Sequence, residues 1–179
     1  MSLLKPLSST RIARYQIPRH GLIPNTSIQK KPLIVYHQAF DQTQLTPSKI
    51  EDYIKSVGVF EPQWRYPMYP ITHFHSTTHE LLVVFKGRAT LCFGGEQNPG
   101  RVEMMVEKGD TILVPAGVGH RLLEEGAEGF EMVGSYPVGA AKWDMCYGKE
   151  GEDADARIQK LGWINKDPLY GDGGPAVQE

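Results

Sequence analysis

The stretch "HFHSTTHELLVVFKG", His73 to Gly87, places three of the chain's six histidines and a glutamate in its first eight residues, then runs into an apolar segment. On an extended chain, side chains two apart share a face, with a rise of ~3.3 Å per residue. His73 and His75 therefore point the same way, about 6–7 Å apart along the backbone, and Phe74 points the other way. "STTH" reads as a turn. Glu80 then opens the returning strand and can bring its carboxylate back over the two imidazoles. Forty residues on, "GDTILVPAGVGH" (Gly109 to His120) ends with another histidine at the start of a strand. Three neutral imidazoles and one carboxylate suit a first-row divalent ion and leave positions open for water or substrate. The competing reading is a hydrogen-bonded polar strand end. His79 lies in the same eight residues, but alternation turns it away from Glu80. It reads as a turn residue facing solvent or an interface, with His75, His79, Glu80 and His120 as the alternative ligand set.

The rest of the composition narrows the possibilities. The chain has 179 residues and a formal net charge of −2, the profile of one ordinary globular domain with room for an arm. A near-neutral chain lacks the basic stripe that nucleic acid calls for. No basic amphipathic helix suggests a membrane surface, and no run approaches the ~20 apolar residues of a membrane span. Cys92 and Cys146 are too few for a disulfide scaffold and read as buried thiols, with a single bridge as the alternative. The N-terminal segment carries Arg and Ser like a transit peptide, but Pro6 and Pro18 interrupt any amphipathic helix. The expected location is the cytoplasm.

Residues 1–30 read as an extended N-terminal arm, 31–150 as a barrel, and 151–179 as a tail packing on it. "PLIVYHQAF" (Pro32 to Phe40) is a β-branched and aromatic run and predicts a strand. Ile50, Tyr53, Ile54 and Val57 share one face of a helix near 48–57, with Ser48 and Glu51 as a capping box and Gly58 as the stop. From Tyr69 to Pro137, Gly-rich turns separate strands expected at 69–76, 79–86, 88–94, 102–106, 111–115, 120–124 and 129–137. Strands at this spacing mean a sandwich or barrel. "HELLVVFK" and "DTILVP" do not alternate, so both their faces should be covered, by the arm, the helix or a partner subunit. "EDADARIQKLGW" predicts a short helix in the tail.

The two histidine-bearing segments resemble the paired motifs of the cupin superfamily. The first is His-x-His, four residues, Glu, six residues, Gly, here His73, His75, Glu80 and Gly87. The second is Gly, five residues, Pro-x-Gly, two residues, His, here Gly109, Pro115, Gly117 and His120. "RYQIPRHGLIPN", "PQWRYPMYPITHFHSTTHE", "GSYP" and "DPLYG" look like the YjlB-like branch of small single-domain cupins. Two positions depart from the usual pattern, Pro67 in place of a glycine and Glu124 in place of an asparagine. The resemblance implies an all-β, double-stranded β-helix (jelly-roll) barrel with one divalent ion (Fe, Mn, Ni, Co or Zn) on His73, His75, Glu80 and His120.

Such a site supports dioxygen activation, carbonyl polarisation or activation of bound water. Its residual positive charge favours a small anionic or chelating ligand. Tyr69, in phase with Ile71, His73 and His75, and Glu80 itself are the catalytic candidates. Trp64 and Arg65 stand where a rim could meet an acidic substrate, or simply pack the arm. The expected function is a metal-dependent small-molecule enzyme, dioxygenase-like or an isomerase or decarboxylase. The alternative is a barrel that binds metal or a small molecule without turnover. An epimerase of the same fold needs a His–Asp dyad, and no such pairing is visible beside His75 or His120. A homodimer is expected, with the arm lying on the partner's sheet and covering an edge.

Overall fold

The computed structural model describes residues 2–178. The strands are β1 (Arg11–Tyr15), β2 (Leu33–His37), β3 (Phe60–Tyr66), β4 (Glu80–Phe93), β5 (Val102–Glu107), β6 (Thr111–Val114) and β7 (His120–Pro137), with helices α1 (Pro47–Val57) and α2 (Ala154–Gln159). They form one antiparallel sheet in the order β1-β2-β6-β4-β7-β3, with β5 also on β4. The fold is the all-β, curled sheet that the sequence leads one to expect. No described helix is long and apolar enough to cross a membrane.

The expected pairs 79–86/88–94 and 120–124/129–137 are two long strands rather than four. Gly87 adopts φ 68°, and an added Cβ would lie 1.9 Å from the Gly129 carbonyl oxygen on β7. The glycine permits a bulge with close backbone approach, not a reversal. The bulge also shifts the phase of β4. Leu82 and Val84 face the barrel interior before it, and Ala89, Leu91 and Phe93 face the interior after it. The expected strand at 69–76 is replaced by isolated bridges of His73 to His120 and Phe74 to Cys146. Pro67 and Pro70 lack the N–H that a ladder needs.

The non-alternating strands are covered on both faces. Leu81 and Val83 pack outward with Ile34, Tyr36 and Leu113 against Ile50 and Ile54 of α1, and against Leu169 and Ala176 of the tail. Leu82, Val84, Ile112, Val114 and Met132 pack inward. The helix and the tail of the same chain thus supply the cover. Part of the arm is itself a strand, β1, paired antiparallel with β2 of its own sheet. β3 is a strand that the sequence does not predict, because of Pro62, which sits at a bulge of this edge strand, where a missing donor is tolerated. In α1 the cap is Thr46, whose hydroxyl accepts the Lys49 N–H at 3.2 Å. Glu51 is not part of a capping box and instead grips Arg65. Gly58 ends the helix in the left-handed region, as expected. Cys92 and Cys146 are buried free thiols.

Candidate metal centre

Glu80 begins β4 in phase with Leu82, which aims its carboxylate into the barrel. His120 begins β7 and exchanges both backbone hydrogen bonds with His73, at 3.1 and 2.8 Å. The "PAGVG" turn holds the next residue of the ligand face, because the Gly117 N–H donates to the His75 carbonyl at 2.8 Å. Gly117 has φ 95°, a conformation that suits glycine in a turn this tight. The result is that His73, His75 and His120 each offer a donor nitrogen, all within 4.8 Å of one another, and all three are buried.

The hydrogen bonds fix which nitrogen each ring offers. Nδ1 of His73 donates to the Ile71 carbonyl at 2.8 Å, Nδ1 of His75 to the Asp144 carbonyl at 2.5 Å, and Nδ1 of His120 to the Val118 carbonyl at 2.9 Å. A carbonyl oxygen only accepts, so each Nδ1 carries the proton and each Nε2 is left to the cavity. This is the outer support that metal-binding imidazoles use. Glu80 completes the set. Its Oε2 lies 3.1 Å from Nε2 of His75, and its Oε1 lies 3.4 Å from Nε2 of His120. A carboxylate facing the lone pairs of neutral imidazoles brings acceptor against acceptor, so a proton or a metal cation must lie between them.

The electrostatics agree. Burial opposes the charge on Glu80, but His75 and then His120 outweigh it and hold the carboxyl at about 2. Burial likewise lowers His75, yet the charge and hydrogen bond of Glu80 raise it above the ordinary imidazole value. His120 falls to about 3, through burial and then its neighbour His73, and burial also lowers His73. In the metal-free chain the proton between imidazole and carboxylate thus belongs to His75.

His79 is left out, though not as a surface residue. It is 3% exposed. Its Nδ1 accepts the Ala116 N–H at 3.0 Å, its Nε2 donates to the Gly162 carbonyl at 2.9 Å, and its ring meets Trp163 edge-on. Both nitrogens are used in tying the second-motif turn to the tail.

A cavity of about 240 Å³ opens over the four residues. Its wall is largely aromatic and aliphatic, with Trp64, Met68, Leu82, Met132, Tyr136 and Trp143 among its lining. Tyr69 lies at the mouth, 43% exposed, its ring tilted against His73. Arg65 also reaches the lining, but its guanidinium is held bidentate by Glu51 at 2.7 and 2.9 Å. The phenol in contact with the site is a different one, Tyr136. Its hydroxyl donates to Glu80 Oε2 at 2.8 Å and accepts from the Trp64 indole N–H at 2.8 Å. Burial, then the Glu80 charge, push its pKa far above the usual phenol range, so it remains a donor. The Trp64 ring lies over Gly134, where a Cβ would come within 2.1 Å of the indole. Alternation along β7 (Phe130, Met132, Gly134, Tyr136) could have placed Tyr136 inside. No comparable signal marked Trp143, which follows the last strand.

The family described as Cupin domain matches residues 59–136. The uncharacterized protein YjlB of Bacillus subtilis (strain 168) is 33% identical over 166 residues, which cover 92% of this chain and 93% of the relative. Among solved structures, an acireductone dioxygenase from Bacillus anthracis, with a cadmium ion in its active centre, is 12% identical. It covers 66% of this chain and 87% of its own, with a TM-score of 0.42. An 11S globulin from Wrightia tinctoria is 12% identical over 80% of this chain, with a TM-score of 0.38, and this chain spans 28% of the globulin's length.

Proposed function

Because this chain belongs to the cupin superfamily, in its YjlB-like branch, we propose that its barrel holds one divalent transition metal ion on His73, His75, Glu80 and His120 and serves a small-molecule enzyme. The observation that carries this reading is the orientation of the three rings. Each Nδ1–H is engaged by a carbonyl, so each Nε2 meets the others beside a buried carboxylate. A merely structural polar cluster would pair those nitrogens with protein donors, as His79 does. Fe, Mn, Ni, Co and Zn all suit such a donor set. Bound there, the ion would supply Lewis-acid polarisation and, for a redox-active metal, dioxygen chemistry.

The chain's own groups set the substrate. The cavity's volume suits a one-ring molecule or an aliphatic of similar size. Arg65 is the one cationic side chain among the described lining residues, and Glu51 occupies it. The substrate therefore carries a single anionic or chelating head, directed at the histidines, and an apolar body against Trp64, Met68 and Trp143. Tyr136 keeps one oxygen of Glu80 hydrogen-bonded. An epimerase dyad is disfavoured, because the His75 Nδ1–H goes to the backbone carbonyl of Asp144 while its carboxylate faces Ser76. A second copy of the chain along the outer edge of β1 would complete a homodimer and cover that edge.

The test is removal and return of the metal. A chelator should abolish turnover, or O2 consumption, of planar carboxylates, 2-oxo acids and enediols while circular dichroism stays that of a folded barrel. Metal should restore the activity. A barrel that melts without metal and turns over nothing across that panel would make the non-catalytic reading the correct one.

The histidines also set a pH signature. Ligating imidazoles must be neutral. His73 and His120 are already held low, so only His75 needs to lose a proton over the neutral range. Metal affinity should be flat at high pH, then fall about tenfold per pH unit once pH drops below the raised pKa of His75. Calorimetric titration between pH 8 and 5 reads this slope. A slope of three protons, or none, would contradict the assignment.

A further inference from the structure

His73 and His120 take their orientation locally, each donating Nδ1–H to the carbonyl two residues earlier. His75 does not. Its acceptor, the carbonyl of Asp144, is 69 positions away. Asp144 lies in the strap 138–149 that follows β7 and contains no helix and no named strand. Alternate residues of this strap diverge. Trp143 and Met145 line the cavity, with Trp143 stacked on Tyr136 and edge-on to His75 at ring separations of 6.3 and 5.7 Å. Asp144 and Cys146 point the other way. The Asp144 carboxylate accepts the Ser76 N–H at 2.7 Å, the Ser76 hydroxyl at 2.5 Å and the Thr77 N–H at 3.3 Å, directly after the ligand pair. Arg157 of α2 supports the same point, donating Nε–H to the Ser76 hydroxyl at 2.7 Å. Phe74 and Cys146 exchange backbone hydrogen bonds at 2.9 Å each.

One short segment thus provides both the acceptor that orients the third imidazole and the aromatic wall of the cavity. We propose that Asp144 is a positioning residue for His75, and that through it the seating of the strap over the cavity is coupled to metal binding. The carboxylate anchors the strap to the "ST" of "HFHSTTHE", and the anchored carbonyl presents His75 Nε2. Coupling of this kind is reciprocal: metal on His75 holds the strap down, and a displaced strap frees His75 to turn. The proposal rests on the metal reading above.

The experiment uses the full chain with Co2+ as the probe. Amide hydrogen exchange across 138–149 should slow when Co2+ binds. Asp144→Ala should bind Co2+ at least about tenfold more weakly, the range for an outer-support group. Its visible Co2+ band should change in shape, and its strap should exchange quickly even at saturating metal. Asp144→Asn, which keeps an acceptor for the Ser76 N–H, should recover most of the affinity. A wild-type strap whose exchange is indifferent to Co2+ overturns the coupling and leaves the metal reading standing. So does an Asp144→Ala protein that only melts earlier, with band and affinity unchanged. Failure of the wild type to take up Co2+ overturns both. Should Asp144→Ala not fold, the wild-type exchange comparison decides alone.

Discussion

Replacing His120 with alanine is expected to cost the barrel its metal. Dialysed against Zn2+ or Co2+ and then against buffer, His120→Ala should retain almost none, while the wild type stays loaded. The side chain is 2% exposed and wholly inside the barrel, so no outside group can take its place. Groups one shell further out cost 10–100-fold in affinity when removed, so a ligand itself should cost at least about a hundredfold. The fold should tolerate the change. The backbone bridge between residues 73 and 120 uses only main-chain groups, and the missing ring enlarges a cavity that already exists. Metal analysis alongside a thermal melt separates the two effects. A folded His120→Ala protein with wild-type metal content would remove His120 from the ligand set.

Glu80→Gln should have the next largest effect, visible even without metal. In the wild type, His75 is lifted by the Glu80 charge against its own burial. Once the charge is gone, only the Asp144 carbonyl and carboxylate still oppose burial, and His75 should titrate lower than in the wild type. Imidazole proton resonances followed from pH 8 to 5 report this fall directly. The variant also loses charge-assisted bonds from His75 and Tyr136, about 2 kcal/mol of stability in the metal-free protein. The wild-type contribution has a definite pH window. Because Glu80 is depressed to about 2, its stabilisation is present above the ordinary carboxyl value and lost as pH falls toward 2. Metal affinity falls as well, since an amide oxygen replaces an anionic ligand. An unmoved His75 would mean that the pair does not interact as its geometry indicates.

Much of the fold was legible because the relevant signals were local. Two gapped motifs with fixed spacing, one ending at Gly87 and the other at His120, can be read from adjacent residues. The non-alternating apolar strands correctly pointed to cover on both faces. What misled was glycine itself. Gly87 and the "EEGAEG" segment carry the residues of a turn, yet they form bulges within continuous strands, because a positive φ serves either geometry. Pro62 hid β3, and the two prolines before His73 turned an expected strand into a bridged extended segment.

The candidate site divides in the same way. The structure brings together His73, His75, Glu80 and His120 and leaves His79 to the tail. Tyr69, the expected phenol, stands at the mouth, and Tyr136 makes the contact with Glu80. Alternation from Phe130 to Tyr136 carried that signal, since β7 runs without a skipped residue over this stretch. Asp144 and Trp143 were illegible for another reason. They act from a strap brought back over the barrel by tertiary contacts, and no periodicity encodes that return.

The central claim is that these four side chains hold a metal ion. The most direct measurement is elemental analysis of the chain purified without chelator, followed by titration with Co2+ at pH 8. The expected result is close to one transition-metal ion per chain, or uptake of about one Co2+ with a visible band. A protein that arrives without metal, takes up no Co2+ and keeps His75 protonated throughout the titration would contradict it.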